Sequence, residues 1–136
     1  MELQQCLKSW HSLASERGKL LDVMRGDKTE GDAIILEIGN SGFPRYDYIY
    51  VGGMRLSSSL GHPKDLSKTE LGRRLGVIYN EPLTNLQGDA QPGVDDGDCY
   101  FLTVEQRNAK KTVAVYGTPE SSIGQLVRAL VMAARR

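Results

Sequence analysis

The chain has 136 residues, with 17 Lys plus Arg balanced by 17 Asp plus Glu. A single domain with one core is within reach, and no net field draws it to nucleic acid or an anionic membrane. Apolar residues at 40% and charged residues at 25% match soluble globular proteins and exclude disordered, collagenous and membrane compositions.

From Glu2 to Met24 the apolar residues Leu3, Cys6, Leu7, Trp10, Leu13, Leu20, Leu21 and Met24 recur at the spacing of an amphipathic helix. This predicts an N-terminal helix over 1–25, with Gly18 weakening its middle by roughly 1 kcal/mol relative to Ala. The polar stretch Gly26 to Gly31 then joins it to a sheet-and-helix core over 33–136, the whole of 1–136 forming one domain. Ala33 to Ile38 reads as a strand with Ile34, Leu36 and Ile38 toward the core and Ile35 and Glu37 opposite. After the turn from Gly39 to Pro44, the run Arg45 to Val51 alternates again. It places Tyr46, Tyr48 and Tyr50 on one face and Ile49 and Val51 on the core side.

Gly52 and Gly53 signal a tight hairpin into a strand from Met54 to Ser58. Ser67 and Glu70 fit a capping box, and Leu66 and Leu71 the hydrophobic staple around it. The helix that follows buries Leu71, Leu75, Ile78 and Tyr79 and is stopped by Pro82. Asn80 to Asp98 reads as a long acidic loop, of a length that is usually functional or mobile. Cys99 to Glu105 resumes strand alternation, with Tyr100, Leu102 and Val104 inward and Phe101 and Thr103 outward. A hairpin at Asn108, Ala109 and Lys110 leads to a last strand from Thr112 to Tyr116, with Val113 and Val115 inward. Thr118 as N-cap, Pro119 as first helical residue and Glu120 in the first turn begin a helix running to Arg135 and Arg136. The expected fold is α+β, a five-stranded mostly antiparallel sheet in the order α-β-β-β-α-β-β-α.

Chemical motifs are sparse. His11 and His62 sit in no HExxH and beside no Cys at metal-ligand spacing. There is no GxSxG elbow, and the turn Gly39 to Gly42 lacks the Lys-Ser/Thr of a phosphate-binding loop. Cys6 and Cys99 form no CxxC and read as buried thiols. Asp89, Asp95, Asp96 and Asp98 do not follow the ligand spacing of an EF-hand and read as a solvated acidic loop. Glu105, Lys110 and Lys111 read as charges guarding a hairpin from pairing with other chains. The residues thus give no catalytic group, no metal and no cofactor, and the expectation is a protein that is not an enzyme. No apolar run approaches the roughly 18 residues needed to span a bilayer, and no signal-peptide pattern opens the chain, so a cytoplasmic protein is expected.

A resemblance enters at the C-terminal half. Gly93-Val94-Asp95, Tyr100 to Glu105, Lys111 to Val115, Pro119 to Ser121, then Leu126, Leu130, Ala134 and Arg135 resemble the tail of emfourin-type proteins, small inhibitors of thermolysin-like metalloproteases. Leu66-Ser67, Glu70 and Leu75 are similar to their central helix motif, and Ser41-Gly42-Phe43 to their glycine-rich first turn. The similarity covers roughly Ala33 to Arg136; the helix over Glu2 to Met24 is additional, and no inhibitory contact carries over by motif. It implies tight, non-catalytic binding to a protease. The expected element order also resembles that of class I type III secretion chaperones, dimers that hold an effector segment, and the size suits a toxin-neutralising immunity protein. All three readings imply a protein partner, a protease or an effector, and a monomer or homodimer, without nucleic acid or membrane.

The aromatic stripe has two readings. If one face of the sheet is open, Tyr46, Tyr48, Tyr50 and Phe101 form a docking surface, with Asp95 and Asp96 as acidic contacts beside it. If the N-terminal helix lays Leu3, Leu7, Trp10 and Leu13 over those rings, they are packing in a three-layer domain.

Overall fold

The computed structural model describes residues 32–40, 46–90, 98–106, 109–117 and 119–136. The expected N-terminal helix over 1–25 and its connector, most of the turn before the tyrosine strand, Gly93 to Asp96, Asn108 and Thr118 lie outside them. The described residues form seven strands and two α-helices. The strands are β1 (Ala33–Asn40), β2 (Tyr46–Gly52), β3 (Arg55–Ser58), β4 (Lys64–Asp65), β5 (Asp89–Ala90), β6 (Asp98–Gln106) and β7 (Ala109–Tyr116). Between β4 and β5 come helix α1 (Glu70–Tyr79) and a 3-10 turn at Leu83–Asn85, and α2 (Ser122–Arg135) follows β7.

The strands make one sheet in the order β4-β3-β2-β1-β6-β7-β5. All neighbours are antiparallel except β5 and β7, which run parallel. A seven-stranded mixed sheet therefore replaces the expected five-stranded one, and the order α-β-β-β-α-β-β-α does not hold. Four of the five longer strands are where alternation placed them, to within one or two residues; the last begins at Ala109, not Thr112, because Ala109 and Lys110, expected in the hairpin, pair with Gln106 and Glu105. The two added strands have two residues each, too few for any side-chain period to show.

Alternation assigns the faces. Ile34, Leu36, Ile49, Val51, Tyr100, Leu102, Val104, Val113 and Val115 point to one side and form a core with Leu71 and Leu75 of α1 and Leu126, Val127, Leu130 and Ala134 of α2. Helix α1 lies against β6 and α2 against β2 and β3. Ile35, Glu37, Tyr48, Tyr50, Phe101 and Thr103 take the other side, as their positions in the pairing register require.

Local chemistry sets the helix starts later than the sequence suggested. The N-cap of α1 is Thr69, whose Oγ1 accepts from the Gly72 N–H at 3.0 Å and donates to the Leu66 carbonyl at 2.8 Å. Ser67 is held in the preceding turn, its N–H donating to Asp65 Oδ1 at 2.9 Å. The Glu70 carboxylate takes Arg73 at 2.6 Å instead of reaching back, so no capping box forms. Likewise α2 is capped by Ser121, not Thr118, with Pro119 buried ahead of the helix. In the β2–β3 hairpin Gly52 pairs with Arg55, so the loop is Gly53-Met54. Gly53 has φ +60 and Met54 does not share that sign, the combination of a type II′ turn, which wants Gly first.

Candidate functional site

The region expected to be a long loop builds a cleft. After α1 ends at Tyr79, Pro82 starts the 3-10 turn, closed by Asn85 N–H to Pro82 O and Leu86 N–H to Leu83 O, both 3.0 Å. The chain then pairs with β7 through Asp89 and Ala90. Gly88 makes this approach possible, because a Cβ there would overlap the Ala114 carbonyl oxygen. The segment 82–89 becomes a wall facing α1 on one side and the first turn of α2 on the other. They enclose about 710 Å³.

Ile78, Leu83, Leu86, Val104, Ile123 and Leu126 supply the apolar lining, and Arg74, Glu81, Asn85, Gln87, Asp89, Ser121 and Ser122 the polar rim. Val77 also lines the cleft and is 56% exposed, an unusual exposure for a valine at a helix surface beside an apolar hollow. Gln106 Nε2 donates to the Glu81 carbonyl at 2.6 Å, fixing the chain as it leaves α1. The Asn80 side chain donates to Gly76 O at 2.8 Å and closes that helix end.

Electrostatically the first turn of α2 is already satisfied. Asp89 sits beside it, its carboxyl held below the usual range by the Ser121 hydroxyl first and by the Ala90 N–H second. A carboxylate placed there occupies the position an incoming anion would take. The cleft thus suits an apolar group with a few hydrogen-bonding atoms around it. Its lining among the described residues contains Ser121, whose hydroxyl meets the Asp89 carboxylate, and Ser122, and it contains no His, Cys or Lys. Among the described residues no group of three or more His, Cys, Asp or Glu could hold a metal ion. No described helix is long and apolar enough to cross a membrane.

The candidate residues from the sequence fall elsewhere. Glu37 stands opposite Tyr48 on one side and Phe101 on the other, and Ile35 opposite Tyr50 and Thr103. The structure therefore gathers Tyr48, Tyr50 and Phe101 on the sheet face away from α1 and α2. Tyr50 is 7% and Phe101 4% exposed, and Tyr48 is half-buried. Strand β2 includes Tyr46 at its first position, whereas Asp95 and Asp96 lie outside the described residues. Glu37, at 2% exposure, joins these rings as a buried carboxyl-bearing residue. His62 is exposed in the turn before β4, away from the cleft, and His11 lies outside the described residues.

Cys99 departs from expectation in its chemistry. It is buried at the start of β6 and is disulfide-bonded, not a thiol. Sequence offered no route to this, because two cysteines far apart carry no pairing signal. The cleft was hidden for a related reason: its wall has no periodicity, and only the parallel pairing of Asp89 and Ala90 with β7 brings it to α2. Comparison with protein-family models, curated proteins and solved structures gives no match for this chain.

Proposed function

We propose that this protein is a non-catalytic binding module for another protein, an inhibitor of a thermolysin-like metalloprotease, and that it receives its partner at the cleft between α1 and α2. The observation that carries this reading is the combination of an apolar lining, a hydrogen-bonding rim and an exposed Val77 at its edge. An open hollow of this kind accepts an anchoring side chain from a partner while the rim satisfies the partner's backbone. The choice of a protease as partner comes from the resemblance over Ala33 to Arg136. The chaperone analogy rested on an element order that the sheet does not have, and no observation favours an immunity protein.

The Cys99 disulfide also bears on location, since disulfides persist in oxidising compartments and are rare in the cytosol. It weighs against the cytoplasmic expectation, and we propose an oxidising compartment instead.

Titrating the purified chain into a thermolysin-like protease tests the function. Peptidase activity is expected to fall to zero near a one-to-one ratio. Val77→Arg should weaken inhibition by about tenfold, roughly 1.4 kcal/mol, with an unchanged melting temperature because the side chain is exposed. A folded wild-type chain that inhibits no member of a panel of such proteases would refute the reading.

A further inference from the structure

Strand β7 pairs with β6 through all eight of its residues without a bulge, but on its other side β5 meets it only at Val115 and Tyr116. Two contacts show which way the remaining backbone points. The Thr103 and Thr112 hydroxyls lie 2.7 Å apart, as in the closely spaced pairs of an antiparallel ladder, whose N–H and C=O groups turn away from the partner strand. Further along, a Cβ on Gly88 would meet both the carbonyl oxygen and the nitrogen of Ala114, so Ala114 also presents its backbone to the outer edge. Thr112 and Ala114 are two residues apart, the interval at which strand backbone repeats its direction, and Lys110 falls in the same phase. Gly88 lies against Ala114, whereas no described segment pairs with Lys110 or Thr112 along that edge, and both are exposed.

Proteins blunt open edges with short strands, prolines, bulges or charge. β4 and β5 are short, but β7 is long and carries neither proline nor bulge. Its guard is charge alone, with Lys110 and Lys111 on opposite faces of the sheet. That charge selects the occupant. A second copy pairing antiparallel along residues 110–112 would set Lys111 opposite Lys111, and like charges directly opposed destabilise a strand pair. Carboxylates in the same places have the opposite effect. Lys110 already stands across from Glu105, but Lys111 stands across from Val104, so no carboxylate answers it within the β6–β7 ladder. We infer that residues 110–112 are a strand-addition site for an extended, acidic segment of a partner protein. The segment's main chain exchanges hydrogen bonds with the outward N–H and C=O groups of Lys110 and Thr112, and its Asp or Glu side chains pair with Lys110 and Lys111. Val104 lines the cleft while Lys110, Lys111 and Thr112 do not, so this edge adjoins the cleft as a separate surface.

The probe is a short peptide of alternating Val and Glu, with a peptide of alternating Val and Lys beside it, and the readout is amide hydrogen exchange of the full chain by NMR. In the free protein the N–H groups of Lys110 and Thr112 should exchange quickly, and those of Lys111 and Val113, which face β6, slowly. The Val–Glu peptide should slow Lys110 and Thr112 by about tenfold or more, and the Val–Lys peptide should leave them unchanged. Lys110→Glu combined with Lys111→Glu should interchange the effects of the two peptides. Thr112→Pro removes one outward N–H without touching a hydrogen bond to β6, a change that edge strands accept, and it should abolish binding. If that variant does not fold, the charge reversal carries the test. Slow exchange at Lys110 and Thr112 in the free chain, no protection there by the Val–Glu peptide, equal protection by both peptides, or binding that survives Thr112→Pro would each overturn the inference. Protease inhibition enters none of these readouts.

Discussion

Tyr100 belongs to the helix-covered core, yet its ring ends in a hydroxyl, and the fold registers that polarity. Burial pushes the phenol up to about 12, and the charge of nearby Asp98 adds to the effect. A tyrosine in the unfolded chain titrates near 10. The folded state therefore holds the proton more tightly, so the contribution to stability is complete below pH of about 10 and is lost as pH rises through about 12. Alkaline unfolding should show this slope, and Tyr100→Phe should flatten it, as read from urea midpoints across that range. Asp89 has the opposite sense. Its lowered carboxyl favours the fold above the ordinary carboxylate range and loses that effect as pH falls through the depressed value. At this scale the sequence was informative about which face each residue takes, because alternation constrains direction. It misread Cys99 as a thiol, because pairing is a property of distance in space.

Helix α2 is anchored at both of its ends by the shortest of the described strands. At its start Ser121 meets Asp89 of β5. At its other end Lys64 of β4 donates from Nζ to the carbonyls of Ala133 and Ala134. These acceptors are among the last carbonyls of the helix, which have no partner within it and carry the negative end of its dipole. A lysine there supplies both hydrogen bonds and charge. Lys64→Met should cost about 1 kcal/mol, seen as a lower urea midpoint with unchanged slope, while leaving the cleft at the far end of α2 intact. Neither strand was legible in the sequence. Lys64 and Asp65, like Asp89 and Ala90, are polar or small residues in pairs, and their pairing is dictated by the chain on either side. The helix starts were legible only to within a few residues. Several Ser and Thr compete for each cap, and Ser67 lost because Asp65 takes its N–H into a turn.

On the scale of the described sheet, β1 and β6 are neighbours at its centre, each flanked by a further strand. Leu102 is fully buried there, facing Leu36 across the β1–β6 pair and Val113 across β6–β7. Leu102→Ala should cost about 2–5 kcal/mol, the range for an aliphatic side chain deleted from a packed core. Equilibrium urea unfolding followed by circular dichroism will measure it. The sequence anticipated both strands of this pair, since each carries an unbroken alternation of large apolar residues. It did not carry the cleft, which exists only once three segments that are distant in the chain are assembled.

That central pairing also sets the pace of folding. β1 finds one neighbour at once, because β2 follows it directly, and the β2–β3 hairpin has a two-residue turn. Its other neighbour waits: Ala33 must find Glu105, and Asn40 must find Asp98, after β2, β3, β4, α1 and β5 have all been made. Closing so large a loop has to precede the burial that rewards it. Such non-local topologies fold in milliseconds to seconds, not microseconds. During synthesis the β1–β2–β3 meander would emerge with one flank of β1 unsatisfied, and that flank would be the part of the nascent chain most in need of a chaperone.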